Sequence, residues 1–228
     1  MISTLKTVND MNLVKPQIAS FLKAENDIMK LIKNALENDA EISGSLIKDA
    51  LLEYEDMSYL SFSGCKFENC RFSESSFEKT SFTDCIFKGC DFSNCGGTDC
   101  YICRCEILSS KLIGANFSNS VFKEVLFRSC ICTYAVFDGS SVRNVCTEGC
   151  DFSSAELSCC TLKGFAPSDS RFIGASFFKT MLKGTDFSDC QLEGIKISEG
   201  FPELKGAVVS PSQALELSAL LGIKIKDD

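Results

Sequence analysis

Three thiols crowd into the stretch Cys100-Tyr101-Ile102-Cys103-Arg104-Cys105. Thiols at that spacing raise the question of zinc, and a structural zinc site needs four converging ligands. The chain has fifteen cysteines and no histidine. It therefore lacks both the commonest zinc partner of cysteine and the commonest general base. No nucleophile can pair with an imidazole, no GxxxxGK[ST] phosphate loop occurs, and no paired carboxylates mark a cleft. The residue types point away from an enzyme, a metal centre and a bound cofactor. The odd cysteine count, behind a start "MISTLKTVNDMN" without the layout of a secretory signal, leads us to expect reduced thiols in a cytoplasmic protein. No apolar run approaches the ~18 residues of a membrane helix. The net charge of −8 argues against direct binding to nucleic acid or to an anionic membrane.

What must position these side chains is a five-residue repeat. Phe stands at 62, 67, 72, 77, 82, 87 and 92, a period that fits neither a strand nor a helix. The frame continues without a slip to Ile197, making 28 consecutive units. Two residues before each large residue sits a small one, as at Cys65, Cys70, Ser75, Thr80, Cys85 and Ala115. Eleven of the fifteen cysteines occupy this small phase, where cysteine behaves as a small hydrophobe. A short fixed period means a solenoid whose units stack to share a core. In that phase Cys100 and Cys105 point inward on different sides and Cys103 points out, which does not build a zinc site.

The units resemble the pentapeptide-repeat family, written A(D/N)LXX. Cys150-Asp151-Phe152-Ser153-Ser154 and Ala115-Asn116-Phe117-Ser118-Asn119 match it closely, and cysteine replaces alanine at many small positions. The resemblance covers about residues 57–197. It implies a mainly β fold, a right-handed four-sided β-helix with four units per coil. Residues 20 apart should then stack. Arg71, Asp91, Lys111, Ile131, Asp151 and Arg171 form such a series, and each adjacent charged pair in it has opposite signs, as neighbouring strands favour. Gly97, Thr147 and Pro167 interrupt the large-residue phase. A local dent or bulge is the plainer account of them, and a pocket is the alternative.

The same spacing stacks Lys123, Arg143, Lys163 and Lys183 into a basic ladder with Arg104 close by. Like charges directly stacked are unfavourable. Either the long side chains fan into solvent, or the ladder docks an acidic partner.

The ends differ. Ile18, Phe21, Leu22, Ile28, Leu31, Ile32, Ala35 and Leu36 share one helical face, and Pro16 suits a first turn, so the spacing predicts one or two helices across 16–38. Their apolar face would cap the open solenoid. Residues 43–56 read as either helix or coil, with a coil-like start favoured near Leu52. Ser210-Pro211-Ser212-Gln213 opens a second helix and Gly222 closes it, while "IKI" (223–225) could be a strand. The expected division is 1–51 for the helical cap, 52–197 for the β-helix and 198–228 for the C-terminal module. This tail resembles that of the quinolone-resistance pentapeptide proteins and their mycobacterial relative, in which a terminal helix joins two protomers. The helix presents Leu215, Leu217, Leu220 and Leu221, more apolar surface than a lone short helix should expose, and the resemblance, carried by Gln213, Ala214, Leu217, Leu221, Gly222 and Ile223, implies that this module joins a homodimer. The resemblance also implies a type II topoisomerase, DNA gyrase, as partner of a DNA-shaped protein. Against easy acceptance, 57–197 hold 16 acidic and 14 basic residues, so their net charge is only −2. The rival reading is a general protein-interaction scaffold working through the terminal helices or the ladder.

Overall fold

The computed structural model describes residues 13–25, 27–224 and 226. The opening "MISTLKTVNDMN" lies outside them. Each five-residue unit forms one side of a coil. Its small and large residues face inward, and its last residue turns the corner. That corner residue is left-handed almost throughout, from Tyr54 (φ 63°) through Arg104 (φ 50°) to Lys179 (φ 58°). Gly, Asn and Asp, which enter this region most readily, fill many of these positions. At the corners a glycine also stacks on an asparagine one coil below. A Cβ on Gly164 would stand 2.6 Å from Oδ1 of Asn144.

Four corners close a coil, giving a right-handed, four-sided parallel solenoid of about seven turns. Its strands are β1 (Lys23–Glu25), β2 (Ile42–Ser43), β3 (Ser45–Lys48), β4 (Ser61–Ser63), β5 (Lys66–Glu68), β6 (Ser81–Thr83), β7 (Ile86–Lys88), β8 (Tyr101–Leu108), β9 (Val121–Arg128), β10 (Ser141–Glu148) and β11 (Thr161–Ser168). From β2 onward, paired residues are 20 apart, as in Phe62↔Phe82 and Val142↔Phe122. Single bridges carry the other faces, running Arg71↔Asp91↔Lys111↔Ile131↔Asp151↔Arg171. The expected stack is the observed one.

The core is a set of ring columns. Phe62 lies on Phe82 at 5.2 Å, Phe67 on Phe87 at 4.9 Å and Phe72 on Phe92 at 4.8 Å, each pair within 17° of parallel. Around a coil the rings meet edge to face, as Phe62 and Phe67 do at 75°. Both arrangements suit the ring quadrupole.

The small phase explains the cysteines. Its side chain reaches the carbonyl of the large residue one coil below. Cys95 Sγ lies 2.7 Å from Phe72 O and Cys100 Sγ 2.9 Å from Phe77 O. Thr80 and Ser75 donate to Met57 O and Leu52 O in the same way. Cysteine here fills the volume of a small residue and adds a weak donor that alanine lacks. Fourteen of the fifteen cysteines are buried and Cys159 alone is exposed. Burial pushes the Cys95 and Cys100 thiols up to about 12, so they stay protonated and unreactive at neutral pH. Thiol titration in denaturant without reductant should find close to 15. A count near one would mean the cysteines pair.

The breaks in phase are filled. Gly97 is buried, and a Cβ there would stand 2.6 Å from the Phe117 ring, which leans into the empty slot. Thr147 is buried with its hydroxyl 3.2 Å from that of Ser170. Pro167 stands in β11, whose one strand partner is β10. An edge strand is where a residue without an N–H is tolerated.

The N-terminus departs from the helix expected across 16–38. The helix α1 spans Ile28–Asn38 only, with the Asp27 carboxylate accepting from the Lys30 N–H. Its Ile32 and Ala35 are buried, and Ile28 and Leu31 pack on the core, so it covers the first coil. Residues 13–22 instead form a strap without helix or strand, and Phe21, expected on the inner face, is 85% exposed. The strap's amides find partners on the solenoid. Val14 N–H donates to Glu124, Gln17 N–H to Asp84 and Lys23 N–H to Gly44 O. β1 then pairs with β3. Edge pairing and two carboxylate acceptors outcompete helical propensity here. The register also starts earlier than Leu52, because Ile42 and Ile47 already pair with Phe62 and Phe67.

At the other end, residues 203–208 stand in for a further coil. Leu182, Gly184 and Phe187 N–H donate to Glu203, Gly206 and Val208 carbonyls. The fully buried Glu203 carboxylate accepts from the Lys179 N–H at 2.8 Å and from the amide and hydroxyl of Ser198. Helix α2 (Pro211–Ser218) has the expected capping box at Ser210 and Gln213, and a 3₁₀ turn, Ala219–Leu221, leads to left-handed Gly222. Gln213 does more than cap. Its Nε2 donates to Phe187 O and Cys190 O at 2.7 and 2.6 Å, plugging carbonyls that another coil would pair. Ile223 and Lys224 are in no strand, and Ile225 lies outside the described residues.

Candidate partner-binding surface

The interior is filled by side chains, so any recognition must occur on the outside. Where opposite charges stack on an outer column, several pair across coils. Arg171 meets Asp151 at 2.6 Å and Arg128 meets Glu148 at 2.5 Å. Glu68 lies between Lys48 and Lys66, at 2.7 and 2.6 Å, and these hydrogen-bonded ammonium groups hold its carboxyl down to about 2.

The basic ladder breaks this rule. Arg143 pairs in register with Lys123 below and Lys163 above, on β9, β10 and β11. All three are exposed, and among the described residues none makes an ion pair. Lys183 keeps the phase but not the register. β11 is the last strand, and Lys183 lies in the turns beyond it, its Cγ 3.1 Å from where a Cβ on Gly206 would stand. Arg104 is not part of the ladder either. It sits on the corner column and grips Asp84 through two bonds of 2.7 and 2.6 Å, with the Gln17 N–H on the same carboxylate. The guanidinium holds the Asp84 carboxyl below the usual carboxylate range. Cys103 occupies the outward position below Lys123 yet is 1% exposed, with its sulfur 3.6 Å from the Arg104 guanidinium. Cys100 and Cys105 turn inward to different carbonyls, Phe77 O and Phe82 O. Among the described residues no three His, Cys, Asp or Glu side chains converge to hold a metal ion.

The C-terminal module offers a second surface. A groove of about 450 Å³ opens between α2 and the preceding loop, lined by Phe201, Leu204, Ala207, Val209, Ala214 and Leu217. Leu215 and Leu220 are exposed beside it, at 55% and 36%. Leu217, expected on the free face, packs against the core instead. The Leu221 side chain lies outside the described residues.

The sequence gives no periodic signal for the strap, for Glu203 or for the second role of Gln213, since each acts once. The Asn-to-Gly spacing of 20 at the corners was visible and would have confirmed the coil length.

The pentapeptide repeat region family matches residues 60–137. No curated protein matches the sequence. Among solved structures, two trypsin-treated variants of QnrB1, a plasmid-mediated fluoroquinolone resistance protein, share the fold. One is 21% identical with a TM-score of 0.51, covering 82% of this chain and 92% of its own. The other is 20% identical with a TM-score of 0.52, covering 82% and 90%. At these identities the likeness concerns the fold.

Proposed function

We propose that this chain, a pentapeptide-repeat protein, is a non-enzymatic protein-binding scaffold, and that its partner is a type II topoisomerase such as DNA gyrase. The observation that carries the reading is the solid rod itself. Seven stacked coils at ~4.8 Å give a length of roughly 34 Å, and every feature able to recognise anything lies on its outside. A fluoroquinolone resistance protein shares the fold, and the resemblance of the C-terminal tail points to a type II topoisomerase, which makes that enzyme class the first partner to test. Mimicry would rest on the shape of the rod more than on charge, since 57–197 carry a net −2 where B-DNA of that length carries roughly 20 negative charges. The expected result is a dose-dependent change in gyrase supercoiling, or in its inhibition by a quinolone, at micromolar protein. No change in either would contradict the topoisomerase reading.

The second reading, a general interaction scaffold, draws on the unpaired ladder. In both, the protein acts as a homodimer through residues 198–228, because Leu215 and Leu220 leave apolar surface exposed on a short helix and a self-complementary patch is the commonest route to a dimer. Light scattering should give about twice the 24.9 kDa chain mass for the full chain. It should fall to the single mass after Leu215→Glu and Leu220→Glu. A monomeric full chain at micromolar concentration would refute the dimer.

A further inference from the structure

We infer that the face bearing Lys123, Arg143 and Lys163 docks an acidic α-helix of a protein partner, laid along the rod axis. The inference rests on the scaffold reading and names the chemistry of one of its partners.

Three observations carry it. First, the ladder stacks three cations in strand register with no ion pair among the described residues, whereas other columns set opposite charges together, as Arg171 on Asp151 and Arg128 on Glu148. Stacked like charges cost stability, and in a chain with 31 acidic residues a carboxylate could easily have been interleaved. Second, the acids nearest the ladder are already engaged. Glu124 accepts from the Val14 N–H at 3.1 Å and from the Asn144 amide at 2.6 Å, and Asp84 is held by Arg104. The parallel column two residues away is Tyr101, Val121, Ser141 and Thr161, which carries no charge. Third, the three cations stand at paired positions of β9, β10 and β11, so they share one continuous sheet face.

The spacing selects the partner. Two strand intervals span ~9.6 Å from Lys123 to Lys163. Carboxylates at i, i+3 and i+7 on one helix face span ~10.5 Å, a mismatch that lysine and arginine side chains absorb. Alternate residues of an extended strand would span ~13 Å over the same three charges. Three consecutive phosphates of one nucleic-acid strand span only ~7 Å along the axis. A net charge of −8 also repels nucleic acid and anionic membranes at long range. The chargeless column beside the ladder fits a helix whose acidic edge adjoins small or apolar residues.

The test uses the full chain and a fluorescent alanine-rich peptide of about 20 residues, long enough to be helical. The peptide carries Glu at i, i+3 and i+7, and a second peptide of the same composition spreads those Glu around the helix. Three exposed ion pairs predict about tenfold tighter binding of the registered peptide, weakened by added salt. The triple variant Lys123→Glu, Arg143→Glu, Lys163→Glu, its fold checked by circular dichroism, should lose that preference. Equal binding of the two peptides, unchanged binding by the triple variant, or tighter binding of duplex DNA or anionic vesicles would overturn the inference. A wild-type chain that prefers the registered peptide yet leaves gyrase unaffected supports the ladder and overturns the topoisomerase reading alone.

Discussion

Replacing Phe82 by Ala lowers the unfolding free energy by about 3–5 kcal/mol, a large share of the ~5–15 kcal/mol that holds a domain together. The ring is 4% exposed and lies on Phe62 at 5.2 Å and 12°, edge-on to Phe87 at 5.2 Å, and 5.8 Å from Phe77. Removing it leaves a hole walled on three sides by rings. Those rings sit in columns tied by strand pairing on both neighbouring coils, so the site cannot collapse to refill it. Glu78→Ala, by contrast, removes one exposed contact to Lys79 at 3.3 Å and changes stability by less than about 0.5 kcal/mol. Chemical denaturation of the two variants decides it, and equal losses would show that the inward phase is misassigned.

Restoring the repeat at Gly97 makes the protein less stable, not more. Leucine is what the five-residue pattern asks for there, yet Gly97→Leu should destabilise by about 1–3 kcal/mol. The first added carbon would already stand 2.6 Å from the Phe117 ring. Phe117 is boxed in by Phe122 at 6.2 Å and Phe137 at 6.3 Å, so it has little room to retreat. Combining Gly97→Leu with Phe117→Leu should recover part of the loss, because neighbours that share one volume are not additive. Denaturant midpoints of the two single variants and the double variant measure the coupling. Strict additivity would mean that Phe117 does not occupy the glycine slot.

Gly97 shows why one sequence was readable in part. The five-residue phase from Phe62 to Ile197 recurs in every unit, so each position confirms the next, and the 20-residue stack follows from it. Single contacts have no such redundancy. The apolar spacing of Ile18, Phe21 and Leu22 fits a helix as well as Ile28 to Ala35 does. Only the distant Asp84 and Glu124 carboxylates, with β3, hold the first stretch out of a helix. Arg104 and Lys123 look alike by sequence neighbourhood, but one faces Asp84 across a coil and the other faces no carboxylate. Leu217 differs from Leu215 by half a helical turn, which turns one to the core and the other to solvent.

The proposed topoisomerase partnership requires the rod to bind the enzyme on a surface that DNA would otherwise use. The most direct measurement is the affinity of the full chain for purified DNA gyrase without DNA, followed by competition with linear duplex. The expected result is binding with a Kd of about 1 μM or tighter, equivalent to ~8 kcal/mol or more, and displacement by the duplex. Absence of binding at tens of micromolar, or binding that the duplex leaves undisturbed, would contradict it.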